Sequence, residues 1–134
     1  MKYFKMEEFE CRCCGKVRFT ENIEALVENV LDPAREKLGM AISVNSGFRC
    51  PKHNAAVGGV PQSQHTVGEA ADVSLLKSGS KQEQLAAVIV EQGKYDQVIL
   101  YPTFVHVSWK KNGTNRRQIL KKSGNGYQRL SKDL

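Results

Sequence analysis

Ser63-Gln64-His65-Thr66-Val67-Gly68-Glu69-Ala70-Ala71-Asp72-Val73 sets a histidine and a carboxylate on either side of a glycine. A neutral imidazole nitrogen and a carboxylate oxygen are both good zinc ligands. Gly68 lets the chain turn between them, because glycine tolerates positive φ. Beyond the turn, Ala70-Ala71-Asp72-Val73-Ser74-Leu75 reads as a short strand, which would fix Asp72 in a sheet. A catalytic zinc site takes three protein ligands and keeps a fourth position open. The third candidate is His106, in Phe104-Val105-His106-Val107-Ser108-Trp109. That run alternates as a half-buried strand does. Phe104, His106 and Ser108 share its more open face, and Val105, Val107 and Trp109 share the other.

Working outward, four stretches stand in a fixed order: Ser46-Gly47-Phe48-Arg49, then His53 to His65 with Gly58-Gly59 inside it, then Gly68 to Asp72, then Val105 to Ser108. In that order and spacing the chain closely resembles the M15 zinc peptidases, from about Leu31 to Trp109. These are D-Ala-D-Ala carboxypeptidases and phage L-alanyl-D-glutamate endopeptidases that cut peptidoglycan stem peptides. The resemblance implies one catalytic Zn²⁺ held by His65, Asp72 and His106. It implies substrate contacts from Ser63 and Gln64, and a substrate or transition-state contact from Arg49, whose planar fork suits a carboxylate. The bland alternatives are a loop cap for Ser63 and a structural ion pair for Arg49. His53 reads as a surface or structural histidine.

The proposed chemistry is amide hydrolysis by metal-activated water. Relatives place a Glu or Asp about three, or about six, residues before the third ligand. Here those places hold Thr103 and Leu100. Three readings stay open. Tyr101 acts as proton donor, although a phenol with a pKa of about 10 is a poor base. Asp96 or Glu69 folds in as the base. Or the zinc site is intact and the chain is a wall-binding module with weak or no hydrolysis, as in related hedgehog-type folds. Which stem-peptide bond is cut is left open.

One domain is the natural count for 134 residues, and that length buries a core without disulfides. No apolar run approaches a membrane span. Met1 to Glu8 lacks the apolar centre of a signal peptide, so an enzyme acting on the wall would need a holin, a phage particle or lysis to deliver it, unless its leader is missing from this sequence; otherwise the expected place is the cytoplasm or a phage. The net charge is +6, with many basic residues between Lys110 and Lys132. A solvated face and attraction to a polyanion both fit. A nucleic-acid reading lacks interleaved aromatics, so the expected partner is a stem peptide, met by a monomer.

Residues 1–18 read as an irregular, Cys-rich lead-in. Cys11, Cys13, Cys14 and Cys50 admit free thiols, disulfides or a structural zinc; Cys-x-Cys-Cys differs from the usual knuckle. Similar phage-type sequences imply that the lead-in packs beside Cys50. Thr20 to Leu38 reads as one helix, N-capped by Thr20 and ended by Gly39, with a kink near Leu31-Asp32 before Pro33. Met40 to Asn45 is a strand, and Pro51 to Val57 starts a short helix. Ser80 to Gln92 is a helix with a Ser80-Lys81-Gln82-Glu83 capping box. Asp96 to Tyr101 forms a hairpin with the His106 strand, and Arg117 to Leu120 adds a last short strand. Residues 121–134 read as a basic, loosely held tail, with Tyr127 and Leu130 as anchors. Together these elements predict an α+β domain, a largely antiparallel sheet with helices packed on it; the resemblance implies the hedgehog/DD-peptidase type.

Overall fold

Apolar threes and fours become helices and apolar alternation becomes strands. The computed structural model describes residues 1–131. A 3₁₀ turn, Met6–Phe9, comes first and buries Phe9. The lead-in before it is tied down: Asp32 accepts the backbone N–H of Lys2 at 2.6 Å and of Tyr3 at 3.0 Å. Then come α1 (Thr20–Leu26), a π turn (Val27–Leu31) and α2 (Asp32–Leu38) in unbroken succession. The irregularity expected at Leu31-Asp32 takes this form. Proline lacks an N–H and its ring crowds the carbonyl four residues back, so a widened turn just before Pro33 relieves both. Thr20 is not the cap; that position is Phe19, at φ 57°.

Next are β1 (Ile42–Ser46), α3 (Pro51–Ala56), β2 (Ala70–Leu75), α4 (Gln82–Gln92), β3 (Gln97–Leu100), β4 (Val105–Ser108), β5 (Gln118–Ser123) and β6 (Gly126–Arg129). The N-cap of α4 is Lys81 rather than Ser80, and Gln84 closes the box by accepting the Lys81 N–H at 2.9 Å. A glutamine can do this as well as the expected Glu83.

The described residues form one six-stranded sheet, ordered β1-β2-β4-β3-β5-β6. Four of its neighbouring pairs are antiparallel and β3–β5 is parallel. This is the α+β architecture. The loose tail expected from Lys121 onward is corrected by β5 and β6, which form a hairpin through Gly124-Asn125. Gly124 has φ 58°, and a positive φ at the first turn position is what a two-residue hairpin needs. Lys132, Asp133 and Leu134 lie outside the described residues.

The two faces of the sheet differ in chemistry. Ala71, Val73, Val98, Leu100, Val105 and Val107 belong to the core that α1, the π turn, α2 and α4 complete. Burying one such Val or Leu is worth about 1.5–3 kcal/mol, so register is strongly specified. The opposite face carries the row Asp72–His106–Ile99, directly opposed across β2, β4 and β3. The core therefore fixes which polar side chains meet on the other side.

Candidate metal centre

His65 is presented by a 3₁₀ turn, Gln64–Val67, which Ser63 caps by accepting the His65 N–H on its Oγ at 3.2 Å. Gly68 ends the turn at φ 72°. The His65 ring is 2% exposed. Its Nδ1 lies 2.8 Å from the Gly47 carbonyl oxygen. A carbonyl can only accept, so Nδ1 carries the proton and Nε2 keeps its lone pair. That Nε2 is buried without a hydrogen-bond partner.

Asp72 and His106 come from adjacent strands. Asp72 Oδ1 lies 3.0 Å from His106 Nδ1 and 3.3 Å from His65 Nε2. One ligand atom from each of the three residues lies within 4.8 Å of the others. Burial alone would raise the Asp72 carboxyl, but the His106 and His65 rings outweigh it and hold it well below the usual range. Burial lowers His106 further than Asp72 raises it. An ionised carboxylate thus faces a neutral imidazole, the protonation states that metal binding requires. An orphaned buried nitrogen and a two-histidine, one-carboxylate donor set fit a zinc ion.

Arg49 backs the carboxylate. Its terminal nitrogen donates to Asp72 Oδ2 at 3.1 Å, its Nε to Ser46 Oγ at 3.1 Å, and its other terminal nitrogen to Asn54 Oδ1 at 3.3 Å. Asn54, on α3, also donates to the Val60 carbonyl at 2.7 Å. Gly59 passes so close that an added Cβ would stand 2.1 Å from Asn54 Oδ1. Gly59 is needed here for backbone approach, whereas its neighbour Gly58 supplies a positive φ of 76°.

The three candidate ligands open onto a cleft of about 670 Å³. Its walls include Ser63 and Gln64, the stacked Tyr101 and Phe104, Tyr127 on β6, and the cations Lys110 and Arg116. Among the described residues that line it, Asp72 is the only carboxylate.

The family model for Peptidase M15 matches residues 2–108. The chain belongs to the M15 peptidase family. A search among curated proteins gave no match. The span matched to M15 ends on Ser108, the last residue of β4, so it holds all three candidate ligands and Arg49. Membership makes a peptide the substrate class.

Against the M15 expectation of a carboxylate just before the third ligand, Leu100 is buried in the core and Thr103 is exposed. Asp96 is fully buried and accepts five hydrogen bonds: three from Arg116, one from Gln64 and one from Ser108. Burial would raise its carboxyl, but Arg116 and Gln64 hold it well below the usual range. It braces the loop before β5 and has no lone pair left for a base. Glu69 is tied to Gln64 at 3.2 Å and stands outside the cleft lining.

Tyr101 does line the cleft. Its hydroxyl pairs with Tyr127 at 3.0 Å. Burial, then that partner, push its phenol above the ordinary value, so it holds its proton at neutral pH. His53 lies on α3, away from the ligand cluster. Sequence reasoning missed Asn54, Lys110 and Arg116. The last two counted only among the many basic residues between Lys110 and Lys132, and only the chain path distinguishes them.

Proposed function

We propose that this M15 chain is a zinc-dependent peptidase that hydrolyses an amide bond in peptidoglycan stem peptides. The observation that carries the reading is the buried, unpartnered Nε2 of His65, facing Asp72 and His106 in an open cleft. His65 through Nε2, His106 through Nδ1 and Asp72 through Oδ1 would hold the ion. When bound, zinc supplies Lewis-acid activation of water and of the peptide carbonyl.

The chain's own groups do the rest. Arg49 holds Asp72 in orientation through its hydrogen bond to Oδ2, as a partner to a metal-ligating carboxylate does. Lys110 and Arg116 give the cleft a cationic side that suits the carboxylates of a stem peptide. Ser63 and Gln64, at the lip beside His65, contact the peptide backbone. Tyr101 keeps its proton and donates a hydrogen bond through it, either to the developing oxyanion or to the leaving nitrogen.

A second reading rests on the lack of a second carboxylate among the described cleft-lining residues. In it the chain binds zinc and wall peptide with weak or no turnover. The deciding experiment incubates zinc-loaded protein with purified peptidoglycan and reads products by mass spectrometry, with a chelated control. Loss of a terminal alanine, or release of a cut stem peptide, abolished by chelation, is the expected result. Stoichiometric zinc with no product supports the binding module instead.

A further inference from the structure

A second group of soft ligands lies outside the cleft. Cys11, Cys14 and Cys50 converge with their sulfurs within 4.8 Å of one another. Cys11 Sγ and Cys50 Sγ are 3.6 Å apart. Four-coordinate zinc with bonds of about 2.3 Å holds its sulfurs about 3.8 Å apart, so the spacing matches ligands around one ion.

The local backbone is built for thiolates. Cys11 N–H donates to the Lys16 carbonyl at 2.7 Å, and Gly15 N–H to the Cys11 carbonyl at 2.8 Å. Those bonds close a tight loop that returns Cys14 to Cys11. Counted from Cys11, Cys14 completes a Cys-x2-Cys followed by Gly15. Reading the stretch as Cys-x-Cys-Cys gave weight to Cys13, which is exposed and outside the group. Backbone N–H groups point at the sulfurs: Cys50 N–H lies 3.4 Å from Cys11 Sγ, and His53 N–H lies 3.4 Å from Cys50 Sγ. Amide donors of this kind stabilise ligating thiolates.

We infer that Cys11, Cys14 and Cys50 form a second, thiolate zinc site, distinct from the His65–Asp72–His106 centre. Each thiol yields its proton to solvent as it ligates, and no electron is transferred. Solvent takes the fourth position on the exposed side, where Cys14 reaches the surface. The ion would fasten the lead-in to the residue next to Arg49. The same seam is already joined by the Phe48 N–H, which donates to the Phe9 carbonyl at 2.9 Å.

The test uses the full chain, purified with zinc under reducing conditions, and the variants Cys14→Ser and His106→Ala. Cys14 is exposed, so its substitution spares the core. Metal analysis should give two equivalents in the parent chain and one in each variant. After cobalt exchange, the near-ultraviolet thiolate-to-cobalt absorption should persist in His106→Ala and vanish in Cys14→Ser. A single equivalent that disappears in Cys14→Ser upholds the cysteine site even if the histidine site fails. Unchanged stoichiometry in Cys14→Ser, or no thiolate band in the parent chain, would overturn it.

Discussion

Asp72 and His106 are direct cross-strand partners in the β2–β4 ladder, and their facing atoms stand 3.0 Å apart. Opposed residues in an antiparallel pair point to the same face, so the ladder itself delivers two of the three candidate ligands. A slip of one residue in either strand would send its own candidate ligand into the apolar core.

Loss of any ligand should therefore be severe and similar in size. His65→Ala, Asp72→Ala and His106→Ala are expected to weaken zinc binding by more than about 100-fold, beyond the loss typical of outer-shell changes. Competition against a chromogenic chelator measures it. Parent-like affinity in all three variants would remove these residues from the site.

Arg49→Ala should keep the ligand set but lose its brace, weakening zinc binding by about 10–100-fold. Arg49→Lys should rescue little. Ser46, Asn54 and Asp72 take hydrogen bonds from three different guanidinium nitrogens, and a lysine has one nitrogen to offer. Full affinity in the lysine variant would show that charge alone matters there.

Tyr101→Phe should lower kcat by about 100-fold with little change in KM, as for loss of a donor felt mainly in the transition state. Circular dichroism should be unchanged, because its hydroxyl partner Tyr127 is itself half exposed. A variant with parent kcat would place the proton donor elsewhere.

Asp96 makes an acid-stability prediction. Its folded carboxyl titrates below the ordinary carboxylate value. The stability it contributes is thus complete above the unfolded pKa of about 3.9 and is lost as pH falls below it. Asp96→Asn should cost about 1.5–3 kcal/mol at neutral pH, the range for hydrogen bonds to a charged group. It should also flatten the fall in melting temperature between about pH 4 and pH 2. An equally steep acid limb in the variant would assign that limb to other carboxylates.

Gly59→Ala tests the close approach of the cleft wall to Asn54. A Cβ at 2.1 Å from Oδ1 must displace the amide that holds both Arg49 and Val60. Overpacking of this kind costs about 1–3 kcal/mol, and zinc affinity should fall with it. Unchanged melting and unchanged affinity together would mean the loop yields freely.

Strands carrying ligands were legible because strict alternation and a buried face leave one reading: Ala70–Leu75 and Val105–Ser108 fall where the pattern puts them. The β5–β6 hairpin was not, because its residues are mostly exposed and carry little apolar period. There the sequence signal was only Ser123-Gly124-Asn125-Gly126, which marks a turn and a break alike. Helix caps erred by a residue or so, as Lys81 and Phe19 show, because end positions depend on contacts made elsewhere in the chain. The role of Asp96 was hidden for another reason. Arg116 is twenty residues away, and only the parallel return of β5 alongside β3 brings it back.

The placement of β4 between β3 and β2 also orders events in time. Its pairing with β3 closes a short loop between Leu100 and Val105, while its pairing with β2 brings together residues 34 apart. Short closures come cheaply and early, and long ones wait for them. The nascent hairpin thus holds His106 with no carboxylate opposite. The three-residue donor set comes into being only when the distant ladder zips, so uptake of an ion there would report a chain that has finished folding.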